Sequence, residues 1–115
     1  MRAGPHADRV YLQHMLDCIE RVEQYCHDGE ASFRQSTLIQ DAVIRNLQTM
    51  AESSQRLSDA VKTQAPDVPW RALAGFRNII VHDYLGMDLD VVWRVVSIEL
   101  PPLQKSLRSI KVAAG

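Results

Sequence analysis

The sequence lacks the features that mark membrane, secreted and disulfide-stabilised proteins. No apolar run approaches the roughly 18 residues that a membrane span needs, and the N-terminus has no apolar core of a secretory signal. Only two cysteines occur, Cys18 and Cys26, and on one helix they would lie about 12 Å apart, too far for a disulfide. Free thiols suit a reducing compartment, so we expect a cytoplasmic protein without membrane contact.

Several signatures of enzyme chemistry are also missing. There is no glycine-rich phosphate loop, no CxxC or HExxH spacing, and no Ser-His-Asp arrangement that the sequence can support. His14 and Cys18 are spaced to share a helix face, but two ligands do not make a zinc site. We therefore expect no metal and no cofactor. The net charge of −1 lacks the basic excess of most nucleic-acid-binding domains, although a local patch around Arg71, Arg77 and Arg94 remains open.

What the sequence does contain is helical periodicity, without alternating strand patterns or repeats. Apolar residues recur at three- and four-residue spacing, which predicts helices over residues 8–27, 36–64, 70–82 and 89–100. These elements predict an all-α fold, an antiparallel bundle of four long helices plus a short C-terminal helix. A chain of 115 residues suits one domain, covering residues 1–115 with residues 1–7 frayed.

Local signals set the expected ends of these helices. Asp8 is expected to cap the first helix, and residues 28–35 to connect it to the second. Pro69 suits the first turn of the third helix. Pro101-Pro102 should break the fourth helix and leave the short C-terminal one. Gly75 costs about 1 kcal/mol inside a helix, and we expect the close approach of a neighbouring helix or of a second subunit to compensate.

The densest chemistry lies at the end of the third predicted helix, in the sequence Arg-Asn-Ile-Ile-Val-His-Asp-Tyr of residues 77–84, here called the motif stretch. It joins an arginine, an imidazole and a phenol to an apolar run that should be buried. A helix that ends near His82 leaves that ring where backbone carbonyls lack partners. Polar groups of complementary proton chemistry, held by apolar neighbours, are what a functional site requires.

Each polar residue of the motif stretch also has a structural explanation. His82 could cap carbonyls and interact with the helix dipole, and Arg77 could pair with Asp83. Tyr84 could be a core aromatic with a hydrated hydroxyl, and Asn78 could serve as a cap or turn residue. Their combination within eight residues favours a functional role.

Four residues outside the motif stretch have a structural and a functional interpretation. Asp41 and Arg45 are four apart on the second predicted helix, which suits a surface ion pair but leaves open that they face the site. Trp70 and Trp93 suit the core or a subunit interface better than a platform for stacking bases.

Together with its flanks, the motif stretch resembles HepT-like toxins of the HEPN ribonuclease superfamily. Arg77-x4-His82 fits the R-x4-6-H signature of HEPN ribonucleases, and the fuller R-x4-H-x-Y form, ending at Tyr84, is typical of the HepT branch. The flanking features are Pro69-Trp70, Gly75, Gly86-Met87-Asp88 and Val92-Trp93. The resemblance extends from about residue 8 to residue 107 and implies a HEPN-like helical fold.

The resemblance implies a metal-independent endoribonuclease. Arg77, Asn78 and His82 are its expected catalytic residues. The supporting positions are Asp83, Asp41 and Arg45. The expected substrate is RNA, with tRNA as one candidate.

HepT-like proteins are homodimers with the motif at the subunit cleft, so the resemblance implies the same arrangement here. It also implies a partner, an MntA-like nucleotidyltransferase antitoxin that transfers AMP to the tyrosine matching Tyr84. Two alternatives stay open. The chain could be a non-catalytic docking subunit of a nucleotidyltransferase, which the modest charge suits, or a purely structural helical dimer.

Overall fold

The fold is all-α, as predicted, in a computed structural model that describes residues 4–82 and 88–112 and, for residues 77–82, the backbone alone. The described helices are α1 (Pro5–Tyr25), α2 (Glu30–Gln35), α3 (Thr37–Gln55), α4 (Asp59–Lys62), α5 (Trp70–His82), α6 (Leu89–Arg94) and α7 (Leu100–Arg108). A π-helical turn, Val95–Glu99, joins α6 to α7. None of these described helices is both long and apolar enough to span a bilayer.

The core is organised by α1 and α3, which pack antiparallel. His14 in α1 meets Ser53 in α3, and one turn further along α1 Cys18 meets Thr49, so positions rise along one helix as they fall along the other. Helix α5 packs along α3, and α7 packs against α1. The largest fully buried side chains are Phe33, Met15, Ile19, Leu47, Met50, Leu100 and Leu107.

Helix α1 begins at Pro5 rather than at Asp8, so residues 5–7 of the predicted frayed start are helical. Gly4 occupies the N-cap position, and Pro5 is tolerated in the first turn because no hydrogen bond is needed from its nitrogen. Asp8 is 5% exposed and accepts hydrogen bonds from the backbone N–H and the hydroxyl of Ser58, at 2.9 and 2.7 Å. The predicted cap is therefore wrong, because Asp8 makes a tertiary contact instead.

The long helix predicted over residues 36–64 is divided in two. Helix α3 ends at Gln55, and Ser58 starts α4 as its N-cap. The backbone N–H of Ser58 is held by Asp8 of α1. A continuous apolar pattern is thus interrupted because a side chain from another helix stabilises the cap.

Residues 28–35, predicted as a connection, contain the short helix α2. Gly29 precedes it with a φ of 94°, a left-handed conformation that glycine adopts without steric cost. Phe33 is fully buried, and its ring centroid lies 5.3 Å from that of Trp93. The Gln40 side chain donates to the Phe33 carbonyl at 3.0 Å, which gives the end of α2 a hydrogen-bond partner.

Phe33→Ala should destabilise the protein by about 3–5 kcal/mol, because it removes a fully buried ring and leaves a cavity against Trp93. Leu38→Ala is the matched control, since Leu38 is 79% exposed and should change the free energy of unfolding by no more than about 0.5 kcal/mol. Denaturant unfolding followed by circular dichroism measures both variants. If Phe33→Ala changed the free energy of unfolding as little as Leu38→Ala does, the packing of α2 into the core would be contradicted.

The prolines at 101 and 102 do not break the fourth helix, contrary to the prediction, because they lie inside the short last helix α7, which continues from it. Helical structure is continuous from Leu89 to Arg108. In the π turn the backbone N–H of Leu100 donates to the carbonyl of Val95, five residues back. The ring of Pro101 would press on the carbonyl four residues back in a regular α-helix, and the wider turn gives it room.

Gly75 lies inside α5 with open space beside it. A Cβ placed on Gly75 would meet no atom within 4 Å outside the backbone of its own helix. Within the described chain, therefore, no neighbouring helix approaches it closely, and that part of the prediction is wrong. The other alternative, the approach of a second subunit, stays a prediction.

Candidate active site

The candidate active site lies at the C-terminal end of α5, which runs from Trp70 to His82 as predicted. The start of α5 is fixed in place. The Pro69 carbonyl accepts from the Leu73 N–H at 2.9 Å, and Leu73 is buried. The Trp70 indole N–H donates to two backbone carbonyls of the preceding segment, at 3.2 and 3.1 Å. Trp70 is thus a structural anchor, as predicted.

The packing of α5 along α3 sets the direction of its last turns. Gln55 of α3 donates to the Ala74 carbonyl at 3.4 Å, and Phe76 is half-buried against the core. The backbone then continues as a helix to His82, so the predicted helix end is confirmed. The motif stretch therefore begins on a helix whose earlier turns are fixed to the core.

Positions 77–82 form the last turns of α5. In a helix, position 78 is one turn before position 82, and position 77 is about 7.5 Å from position 82 along the axis. The side chains of Arg77, Asn78 and His82, and the whole of Asp83 and Tyr84, lie outside the described residues. Their roles stay predictions.

Asp88, just beyond the motif stretch, precedes helix α6. The Asp88 carboxylate accepts from the backbone N–H groups of Asp90 and Val91, at 3.0 and 3.3 Å, and so caps α6. Asp90 in turn pairs with Arg34 of α2, which also bonds Glu30 at 2.8 Å. Hydrogen bonds to Glu30 and then to Asp90 raise the pKa of Arg34. The motif stretch thus starts on the last turns of a core-packed helix and is followed by a capped one.

Helix α2, which was not predicted from the sequence, supports helix α6 beside the candidate site. It holds α6 through the Arg34–Asp90 ion pair and through the contact between the Phe33 and Trp93 rings. Trp93 is therefore packed against another aromatic ring, as the core interpretation predicted. One signal was present, because Glu30 and Arg34 are spaced as a helical i,i+4 pair. A six-residue helix with one buried side chain is too short to show periodicity.

Asp41 and Arg45 are exposed on α3, and the predicted surface ion pair is wrong. Within the described part of the chain, neither residue forms an ion pair. An exposed pair of this spacing gains only a few tenths of a kcal/mol, so its absence costs the fold little. Their contribution to the site stays a prediction.

A polar seam between α1 and α3 is formed by His14, Cys18, Thr49 and Ser53. His14 Nδ1 lies 2.6 Å from Ser53 Oγ, and His14 Nε2 lies 3.6 Å from Cys18 Sγ. Burial raises the pKa of the Cys18 thiol, and a hydrogen bond with Thr49 acts in the opposite direction. No group of three His, Cys, Asp or Glu side chains that could hold a metal occurs among the described residues. The seam is hydrogen-bonded packing.

Comparison with known families decides the class of the protein. The profile of the family described as Ribonuclease HepT-like matches residues 15–110, which include all of α5 and the motif stretch. The chain belongs to the HepT-like ribonuclease family. The resemblance inferred from the motif stretch is confirmed, and so is the enzyme class, a ribonuclease, at the level of the family.

Curated relatives of this HepT-like chain include archaeal and bacterial proteins. A Methanocaldococcus jannaschii protein, named as a gamma-glutamylcyclotransferase and a supposed RNase, is 34% identical over 103 residues, 89% of this chain and 46% of its own length. The chain thus spans about half the length of that relative. A Thermococcus cleftensis protein named probable ribonuclease HepT is 29% identical over 102 residues, 88% of this chain and 93% of its own.

A Shewanella oneidensis protein named mRNA nuclease HepT is 29% identical over 118 aligned positions, covering 82% of this HepT-like chain and 88% of its own length. No solved structure matches the chain.

Proposed function

We propose that this HepT-like protein is the toxin of a toxin–antitoxin pair in the cytoplasm. It acts as a metal-independent endoribonuclease at a dimer cleft, and a cognate minimal nucleotidyltransferase neutralises it by transferring AMP to Tyr84. The family match carries the ribonuclease part of the proposal. The rest is supported by the position of the motif stretch, which starts on the last turns of α5 and is followed by the cap at Asp88.

The chemistry needs a base for the ribose 2′-hydroxyl, an acid for the departing 5′-oxygen and a cation for the charge on the phosphorane. The His82 imidazole is proposed to serve as acid or base, a role that histidine side chains commonly take in catalysis. The Arg77 guanidinium can hold two phosphate oxygens at once, and the Asn78 amide can donate to a third. Attack of the 2′-oxygen on phosphorus breaks the bond to the 5′-oxygen. The products are a 2′,3′-cyclic phosphate and a 5′-hydroxyl.

Asp83, Asp41 and Arg45 are proposed to support the site through their charges. Asp83, next to His82, is proposed to orient the imidazole. Asp41 and Arg45 lie exposed on α3 without an ion pair to each other, so Arg45 is free of that partner to attract an RNA strand, with tRNA as one candidate substrate.

The proposed cleft requires a two-fold dimer, because one motif stretch supplies one histidine and the reaction needs two proton-transfer groups. Sedimentation at micromolar concentration should show a dimer. Gly75→Leu should weaken it without unfolding the monomer, because no atom of the described residues outside the helix backbone lies within 4 Å of a Cβ at Gly75. Ala31→Leu, at an exposed position of α2, is the control. A wild-type monomer would contradict the composite cleft, and a Gly75 variant as dimeric as the control would place Gly75 outside the dimer interface.

Arg77→Lys should lower the rate of RNA cleavage nearly as far as Arg77→Ala, by about a hundredfold. Lysine keeps the positive charge but loses the planar pair of donors that fits a phosphate. The rate of cleavage of a labelled RNA by purified protein measures the effect, and Arg94→Lys, at an exposed arginine of α6, is the control. Near wild-type cleavage by the lysine variant would show that Arg77 contributes only diffuse charge.

The alternative function is a non-catalytic docking subunit for a nucleotidyltransferase. The net charge of −1 favours it, because a ribonuclease usually presents a basic surface to its substrate. The two functions differ in one result. Only the toxin cleaves RNA as purified protein and loses that cleavage when His82 is changed.

A further inference from the structure

A groove opens at the end of α5 that is opposite to the motif stretch. Its volume is about 300 Å³, and its floor is apolar, formed by Val68, Pro69, Pro102 and Leu103. Val68 and Pro69 precede α5, whereas Pro102 and Leu103 belong to α7. The groove therefore lies between the start of α5 and the part of α7 that follows the π turn. A space of this size suits one or two side chains of a partner.

The π turn adds an exposed apolar side chain to the edge of this groove. Ile98 is 63% exposed, whereas Val95 and Leu100, at the two ends of the same turn, are buried. A single exposed apolar residue is ordinary on a protein surface. Here it extends an apolar floor, and it lies on the kind of irregular turn that often occurs at functional sites.

Two carboxylates give the groove a negative rim. Asp67 accepts a hydrogen bond from the Ser106 hydroxyl at 2.7 Å through one oxygen, and Glu99 is exposed on the opposite wall. Within the described chain, neither carboxylate pairs with a lysine, arginine or histidine, and no basic side chain lines the groove. The groove therefore offers an apolar floor and two uncompensated negative charges.

The groove is already formed in the free chain. The backbone N–H of Val68 donates to Ala65 at 3.1 Å, and that of Trp70 donates to Val68 at 2.9 Å. The Ser106–Asp67 hydrogen bond ties this segment to α7. A partner that enters the groove consequently orders little new structure, which reduces the entropic cost of binding.

We propose that this groove is the docking site of the nucleotidyltransferase, which inserts an apolar side chain beside Ile98 and places a lysine or arginine against Asp67 and Glu99. The inference rests on the proposed function, in which such a partner exists. RNA does not suit the groove, because its phosphates would meet the two carboxylates. A second copy paired symmetrically through the groove would oppose like charges.

The docking site is separate from the site of modification. Helix α5 has 13 residues, so its start lies about 18 Å from position 82 along the helix axis. A partner held at the groove raises the effective concentration of its active site near Tyr84 without touching the motif stretch. Loss of docking should therefore raise the KM for AMP transfer more than it lowers kcat, and it should leave RNA cleavage unchanged.

The test compares Ile98→Asp and Glu99→Lys with Val10→Asp, a control at a 52% exposed position of α1. Full-length protein is incubated with the cognate nucleotidyltransferase, ATP and magnesium, and AMP transfer is followed over a range of toxin concentrations. We expect KM to rise about tenfold or more for both groove variants, with kcat within about twofold and wild-type RNA cleavage. Titration calorimetry with the same transferase should show an equal loss of affinity.

Unchanged KM and affinity in both groove variants would overturn the docking site while leaving the proposed function intact. So would a groove variant that dissociates the dimer in sedimentation, or one that weakens RNA binding, because each assigns the groove to another partner. If the wild type binds the transferase but receives no AMP, the proposed regulation fails, and calorimetry on the variants still decides the docking site. If the wild type does not bind the transferase, the docking site is excluded.

Discussion

His82→Ala should abolish RNA cleavage by the purified protein and its toxicity on expression, with the fold and the dimer preserved. General acid–base catalysis by a positioned histidine contributes about a hundredfold to ten-thousandfold in rate, and a two-fold cleft loses both histidines at once. Position 82 ends α5, and alanine is the best helix former, so the backbone should be unaffected. Cleavage of labelled RNA, circular dichroism and sedimentation measure the three properties.

His27→Ala is the control for this experiment, because His27 is an exposed histidine in the turn after α1. The control should cleave RNA at the wild-type rate. A fully active His82→Ala protein would remove His82 from the chemistry. If wild type and variant both bind the nucleotidyltransferase and neither cleaves RNA, the docking-subunit function is favoured instead.

Tyr84→Phe should make the protein resistant to its nucleotidyltransferase. Incubated with that enzyme, ATP and magnesium, the wild type should gain one AMP per chain and lose most of its RNA cleavage. The phenol oxygen attacks the α-phosphorus of ATP, its proton is lost to solvent, and pyrophosphate leaves. The bound nucleotide adds about one negative charge and a large base beside His82, so charge and volume both exclude the substrate phosphate. Phenylalanine keeps the ring and removes the acceptor oxygen.

Tyr25→Phe is the matched control, because Tyr25 is 38% exposed at the end of α1 and so is open to a modifying enzyme. Tyr11 is less accessible, with the Arg56 guanidinium 5.8 Å from its ring centre. Mass spectrometry of peptides locates the AMP. Modification of Tyr25, or continued modification of the Tyr84→Phe protein, would leave Tyr84 as part of the cleft or the core.

Helix α5 could be predicted to the residue from the sequence, because its local signals agree. Pro69 favours a helix start, and the helix ends at His82, inside the motif stretch. The enzyme class could also be predicted, because the Arg77-x4-His82-x-Tyr84 spacing with its flanks resembles the family whose profile matches the chain. The dimer cleft stays a prediction, because contacts between two copies of a chain leave no periodic pattern in its sequence.

The parts of the fold that could not be predicted depend on contacts between distant residues. The break before α4 needs Asp8 to hold Ser58, a partner 50 positions away in sequence. Helix α2 owes its place to Phe33 and Trp93, which meet only in the folded chain. Apolar periodicity describes which face of a segment is buried, but it contains no information about such individual partners.

The π turn also determines which side of the last helix faces the protein. Val95 and Leu100 are both buried although they are five positions apart, and in a regular α-helix that separation would turn one about 140° away from the other. The wide turn corrects this angular offset, so Leu100 and Leu107 continue the buried stripe that begins at Val92. The π turn therefore acts as a phase adjustment between two halves of one helix, and Ile98 is an apolar residue that the adjustment leaves outside.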